Sequence, residues 1–154
     1  MAVSQISVFL ESKPGHLKRI LDAFEAAGIN VRGYSVSDTG DYGIARFIPD
    51  KPEEAFAVLR AEGCAAARAE VLCLRLRDEP GELARVMGII ADAGINVLYS
   101  YSLISTFIAI HVEDIDAAEA ILRNRPIDLA AQGEIAMSVR SPNLPGAAAI
   151  GETA

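Results

Sequence analysis

Ser12-Lys13-Pro14-Gly15-His16-Leu17, followed by Gly28-Ile29-Asn30-Val31, returns later in the chain as Asp78-Glu79-Pro80-Gly81-Glu82-Leu83, followed by Gly94-Ile95-Asn96-Val97. The offset is 66 residues throughout (14 to 80, 28 to 94). Apolar residues inside the two stretches keep the same step, since Leu17, Ile20, Leu21 and Phe24 map onto Leu83, Val86, Met87 and Ile90. Those ahead of the Pro-Gly pairs do likewise, with Ile6, Val8 and Leu10 mapping onto Leu72, Leu74 and Leu76. One supersecondary unit is therefore used twice. A duplicated unit creates a pseudo-symmetric seam, a natural place for a small ligand.

Outward from these marks, Gln5 to Glu11 alternates apolar and polar with period two, the pattern of a strand. Pro14-Gly15 ends it and opens a helix, for which proline suits the first turn. Leu17, Ile20, Leu21 and Phe24 form one stripe at i, i+3, i+4, i+7, and Gly28 stops the helix. Val31 to Ser37 and Tyr42 to Ile48 read as strands joined by the turn residues Asp38-Thr39-Gly40-Asp41. Asp50-Lys51-Pro52-Glu53 has the spacing of a capping box for a second helix that ends at Gly63. The order is β-α-β-β-α-β, with the last strand near Cys64 to Arg68 or merged with the strand that opens the second unit. In that unit Val71–Arg77, Val97–Leu103 and Thr106–Val112 are expected strands, with a hairpin at Ile104-Ser105. Glu82–Ala93 is an expected helix, and Asp114 is expected to cap a short one ending near Arg123.

The fold class expected is α+β: two ferredoxin-like repeats packed side by side with antiparallel sheets, residues 1–68 and 69–140, then a flexible tail over 141–154. Ile135, Met137 and Val139 alternate again, which leaves two readings. Either an extra strand over Glu134–Arg140 pairs along an edge, within or between chains, or the last strand of the second repeat is displaced by a loop.

Half of the residues are apolar, 51%, so a substantial core is within reach. A net charge of -7 with no basic run argues against a nucleic-acid or acidic membrane surface. Apolar runs fall short of the roughly 20 residues of a membrane span, and Met1–Gln5 carries no basic, apolar leader pattern. Two cysteines, Cys64 and Cys73, without metal spacing fit a reducing, cytoplasmic setting. Both are expected to be buried thiols.

The run Val8 to Leu17 with Gly28-Ile29-Asn30 resembles the opening of an ACT domain, and Asp78 to Leu83 with Gly94-Ile95-Asn96 resembles it more closely. Ser37-Asp38-Thr39-Gly40-Asp41-Tyr42-Gly43 is similar to the hairpin of small freestanding tandem-ACT proteins. The resemblance covers residues 4 to 130 and implies binding of an amino acid or similar small metabolite between paired domains. A homodimer and a separate partner enzyme are expected with it, and no cofactor is expected. A Pro-Gly turn presents backbone N–H groups at a helix N-terminus, a seat for a carboxylate, and Gly15 and Gly81 leave room for close approach. The Gly-x-Asn turn lies at the other end of the same helix, so only a neighbouring copy brings Asn30 or Asn96 to the ligand. The ligand-binding set expected is Ser12, Lys13, Pro14, Gly15, His16, Leu17, Gly28 and Asn30, with Asp78, Glu79, Pro80, Gly81, Glu82, Leu83, Gly94 and Asn96. Repeat one carries Lys13, His16 and Lys18 around its turn, and repeat two carries Asp78, Glu79 and Glu82. This reads either as two unequal half-sites, one for an anion and one for an ammonium group, or as ordinary helix surfaces whose first-turn acids complement the dipole.

Catalysis needs convergent acids, bases or nucleophiles. His16, expected to be exposed, and His111, expected on a strand facing a helix or solvent, form no metal or catalytic pattern, and no phosphate-binding glycine loop occurs. The chain is expected to be a non-catalytic sensor; the alternative is a ligand-free regulatory or interaction subunit of a metabolic enzyme.

Overall fold

The computed structural model describes residues 1–137; the expected tail and the last three residues of the expected strand Glu134–Arg140 lie outside them. The first repeat is β1 (Val3–Glu11), α1 (His16–Ala26), β2 (Val31–Asp38), β3 (Tyr42–Pro49) and α2 (Pro52–Ala61). It shares its last strand, β4 (Ala66–Arg75), with the second repeat. That repeat continues through α3 (Glu82–Asp92), β5 (Val97–Ser102), β6 (Phe107–Val112), α4 (Ile115–Leu122) and β7 (Asp128–Ala130), before a short α5 (Gln132–Ala136).

The merging of strands is the central fact of the architecture. Residues Ala66–Val71 of β4 pair antiparallel with β1, and Leu72–Arg75 pair antiparallel with β6. The same end, Cys73–Arg75, pairs with β7, as the first half of β4 pairs with β1. One sheet results, in the order β2-β3-β1-β4-β6-β5, with β7 attached to β4. Its two end strands are brought back to each other: Gly33 bridges Leu103, and the Ile104 N–H donates to the Arg32 carbonyl at 2.9 Å.

Strand alternation divides the apolar residues into three cores. Ile6, Val8, Leu10, Ala45 and Phe47 bury against Ile20 and Phe24 of α1 and Ala55 and Leu59 of α2. Leu72, Leu74, Ile108 and Ile110 do the same against Val86 and Ile90 of α3 and Leu122 of α4. The opposite face of the sheet forms the third core, from Val3, Ile48, Val71, Cys73, Leu103, Phe107, Ala109, Ala130 and Ile135. Beside it, buried Gln5 is held between two phenols: the Tyr101 hydroxyl donates to its carbonyl at 2.7 Å, and its amide donates to Tyr99 Oη at 2.7 Å. The Arg46 guanidinium lies 4.0 Å over the Tyr99 ring, and this cation–π contact offsets the missing partner of its buried Nε. His111, on the same face and partly exposed, stacks on Tyr99 and sits 3.0 Å from the Glu70 carbonyl.

α1 and α3 end alike. Gly28 and Gly94 take φ of 67° and 74°, and Ile29 N–H bonds Phe24 carbonyl as Ile95 N–H bonds Ile90 carbonyl, the Schellman arrangement. Asp114 caps α4 as expected, accepting the Ala117 N–H at 2.9 Å. Two expectations are corrected. Asp50 does not cap α2; its carboxylate instead accepts the Asn30 N–H at 2.9 Å, tying the α1–β2 turn to the end of β3. The stretch expected as a strand from Glu134 is helical through Ala136, because Glu134 reaches back to the Ala131 N–H at 2.7 Å and starts α5. The last strand of the second repeat comes earlier, at β7.

Candidate functional site

Each Pro-Gly turn is formed in the same way. Gly15 and Gly81 have φ of 89° and 86°, a region costly for any residue with a Cβ. No atom stands within 4 Å of where a Cβ would lie, so these glycines serve the backbone turn and not a close contact. The first helical residue then turns back to the end of the preceding strand. His16 Nδ1 accepts the Glu11 N–H at 3.0 Å, and Glu82 Oε1 stands 3.4 Å from the Arg77 N–H. His16 is accordingly half-buried, not exposed.

Two cavities flank each turn. In repeat one, a cavity of about 350 Å³ lies toward the β2 edge, between Ser12, Lys13, Pro14, His16 and Leu17 and the strand residues Val36, Ser37 and Asp38. Ser12 Oγ donates to Asp38 Oδ2 at 2.6 Å, and this bond, with the Gly40 N–H to Oδ1, holds the Asp38 carboxyl below its ordinary range. Lys13 is 2.6 Å from Glu11 and keeps that carboxyl ionised in turn. The matching cavity of repeat two, about 270 Å³, is lined by Arg77, Asp78, Ser102, Ser105, Thr106 and Phe107. Ser105 there adopts φ of 151°, a strained value for a residue with a side chain. The Asp78 side chain has no hydrogen-bond partner among the described residues. Both cavities present basic side chains and carboxylates together, Lys13 and Glu11 across from Asp38 in the first and Arg77 beside Asp78 in the second, an arrangement suited to a zwitterion.

The expected residues do not all meet. Ser12, Lys13, Pro14, His16 and Leu17 come together, and Gly15 lines the neighbouring cavity on the other flank. Gly28 and Asn30 stand at the far end of α1, where Lys51 Nζ bonds the Gly28 carbonyl at 3.1 Å. Gly94 and Asn96 line a separate cavity of about 270 Å³ with Glu113 and Asp114 at the far end of α3. Pro80 and Gly81 form the second turn, and Leu83 points outward, half exposed.

Glu79 and Glu82 do not act as free acids. Glu79 pairs with Arg77 at 3.0 Å. Glu82 is only 4% exposed, bound by Arg85 Nε and Nη2 at 2.8 and 2.9 Å and by Arg77 Nη2 at 3.0 Å. These guanidiniums hold its carboxyl far below the ordinary range, Arg85 foremost. Of the three acids expected around this turn, Glu79 and Glu82 are thus neutralised by arginines, and Asp78 is left with no such pair among the described residues. Sequence reading missed Asp38, Val36 and Arg77. Asp38 carried a turn signal that masked it, and Arg77 becomes a wall residue only once β4 and α3 are placed.

Among the described residues, no three side chains of His, Cys, Asp or Glu gather to hold a metal ion. No helix among them is long and apolar enough to cross a membrane.

Residues 1–137 match the family model described as an ACT domain pair. Among solved structures, protein BT0572 from Bacteroides thetaiotaomicron is similar at a TM-score of 0.84 and 26% identity, over 90% of this chain and 98% of that one. The regulatory subunit of aspartate kinase from Thermus thermophilus, in a ligand-free form, shares the fold at a TM-score of 0.57 and 22% identity, over 78% and 87% of the two chains. Its counterpart from Thermus flavus gives 0.56 and 20%, over 78% and 88%. No curated protein sequence matches the chain.

Proposed function

The chain belongs to the ACT domain pair family, and from that premise we propose that it is a non-catalytic cytoplasmic sensor of an amino acid or closely related metabolite. The observation that carries the reading is that the cavity beside each Pro-Gly turn presents a basic side chain, Lys13 or Arg77, together with an aspartate, Asp38 or Asp78. An α-amino acid presents the opposite pair, with its carboxylate suited to Lys13 or Arg77 and its ammonium group to Asp38 or Asp78. Each cavity is built from one repeat. In a homodimer, a second copy closes the cavities and brings Asn30 or Asn96 to the ligand. The two units we assign are residues 1–68 and 69–140. The output passes to a separate partner enzyme through a change in the arrangement of the paired sheets.

The test is a thermal-shift screen against the common amino acids at millimolar concentration, followed by calorimetry on any stabiliser. A ligand at about 100-fold over its Kd adds about 2.7 kcal/mol, or roughly 5–10 °C for a chain of this size. Asp78→Ala and Asn96→Ala should remove that shift while leaving the ligand-free midpoint in place, since neither side chain is hydrogen-bonded among the described residues. Loss of midpoint without loss of binding would make both residues structural. No stabiliser across the set would leave the ligand-free subunit as the reading, with a partner protein to be sought.

A further inference from the structure

On the other flank of the second Pro-Gly turn, away from the cavity of Asp78, lies an open cavity of about 490 Å³. Four arginines line it: Arg75 from the end of β4, Arg77 just beyond, Arg85 from the first turns of α3, and Arg125 from the loop between α4 and β7. The only acids in the lining are Glu82 and Asp128. The whole chain has 14 Lys and Arg against 21 Asp and Glu, so four cations on one cavity run against its composition.

The duplication supplies an internal control. At the 66-residue offset, Phe9, Glu11, His16 and Arg19 of the equivalent cavity in repeat one stand where Arg75, Arg77, Glu82 and Arg85 stand here. Arg85 keeps an arginine counterpart in Arg19, whereas Arg75, Arg77 and Arg125 stand where repeat one has Phe9, Glu11 and Leu59. The common fold therefore does not require those three, which are added here to a shared scaffold.

Their geometry is that of a braced cluster. Glu82 lies beneath, buried, and orients Arg77 and Arg85 together, and Arg85 Nη1 is fixed further by the Pro126 carbonyl at 2.8 Å. Arg75 is steadied by Asp128 at 3.1 Å and Glu134 at 3.5 Å, and Arg77 by Glu79. Each guanidinium has five N–H groups, so donors remain after these bonds are counted. Arg125 is exposed and has no side-chain partner among the described residues. All four are arginine, though lysine would supply the same charge. The planar fork matters where oxygens are gripped in pairs, and a phosphoryl group offers three.

We propose that this cavity is an anion site that takes a small phosphate-bearing ligand. It shares the wall residue Arg77 with the cavity of Asp78 on the opposite flank, but its other cations, Arg75, Arg85 and Arg125, line this cavity and not that one, so it does not rest on the amino-acid reading. Arg77 and Arg85, held by Glu82, form the fixed floor; Arg125 closes over the ligand from the loop; Glu82 is a positioning residue.

The probe is inorganic tripolyphosphate, titrated into the full chain by calorimetry at constant ionic strength set with chloride. Saturable binding is expected, weakened about tenfold or more in Arg125→Gln, the worth of a charge-assisted contact. Arg125 lacks partners, so this variant should keep the wild-type melting midpoint. Arg19→Gln, the position in repeat one that matches Arg85, should bind as the wild type does. Succinate should bind more weakly than tripolyphosphate. Absence of saturation in the wild type, equal weakening by Arg19→Gln, or unchanged binding in Arg125→Gln would each overturn the site. Tighter binding of succinate would overturn its assignment to phosphate. None of these results bears on the amino-acid screen, whose variants lie in other cavities.

Discussion

Replacing Gly33 by alanine tests how the two ends of the sheet are held together. A Cβ at position 33 would lie 2.7 Å from Leu103 Cγ and 3.4 Å from Leu103 Cα, against an ordinary carbon–carbon contact of about 3.5–4.0 Å. The near atom is a branch point in a buried side chain, Leu103 being 7% exposed, so the leucine has little room to swing. The strands must part, at the expense of the Ile104 N–H to Arg32 carbonyl bond of 2.9 Å. Overpacking of this kind costs about 1–3 kcal/mol. Alanine also restricts the unfolded chain, which returns about 0.4–1 kcal/mol. The clash wins, and Gly33→Ala should lower stability by about 1–2 kcal/mol, roughly 2–8 °C in midpoint. Leu103→Ala alone should cost about 2–4 kcal/mol through its cavity. In the double variant the clash has gone, so the two losses should sum to about 1–3 kcal/mol too much, the clash term itself, and a urea-unfolding double-mutant cycle reads that coupling. Additivity within about 0.5 kcal/mol, or a neutral Gly33→Ala, would show that the seam is loose and refute the reasoning.

Gln5→Leu should destabilise by about 1–3 kcal/mol, because the Tyr99 and Tyr101 hydroxyls lose their partner, and the Tyr101→Phe change added to it should recover part of the loss on urea unfolding. Cys73 is buried and its thiol is pushed up to about 12, so iodoacetamide at neutral pH should label the half-buried Cys64 well before Cys73. Its raised pKa also stabilises the fold fully only below about pH 9: above that the unfolded thiol ionises while the folded one stays protonated. Stability should therefore fall by about 1.4 kcal/mol per pH unit toward pH 12, with a shallower slope in Cys73→Ala.

The repeat, the helix stripes and the Schellman ends were all readable, because each is a local pattern that the same 66-residue step writes twice. Which strand ends one repeat and which begins the next was open in sequence. Ala66 to Arg75 is one uninterrupted strand, and no glycine or proline marks where its partner changes from β1 to β6. The alternation of Ile135 and Met137 looked like a strand, yet Glu134 had a backbone N–H within reach and the short β7 had already taken the place beside β4. Asp50 satisfied the spacing of a capping box but met a closer donor from the Asn30 turn, which is distant in sequence. The site was legible only in part for the same reason. Ser12 and Lys13 were readable beside their turn, while Asp38 opposite them and the guanidiniums around Glu82 are brought together by tertiary folding.

Parity governs what β4 can tolerate. Ala66, Arg68, Glu70, Leu72 and Leu74 all fall on one face of it, so both helical layers lie on that face, while Val71 and Cys73 face the third core. A single residue inserted between Val71 and Leu72 would turn the second repeat over, sending Leu72 and Leu74 inward and Cys73 out beneath α3. Two residues would restore the faces and lengthen the strand by about 7 Å. Length changes within this strand must therefore come in even numbers. The turn at Gly63, just ahead of it, carries no such arithmetic and can vary by one.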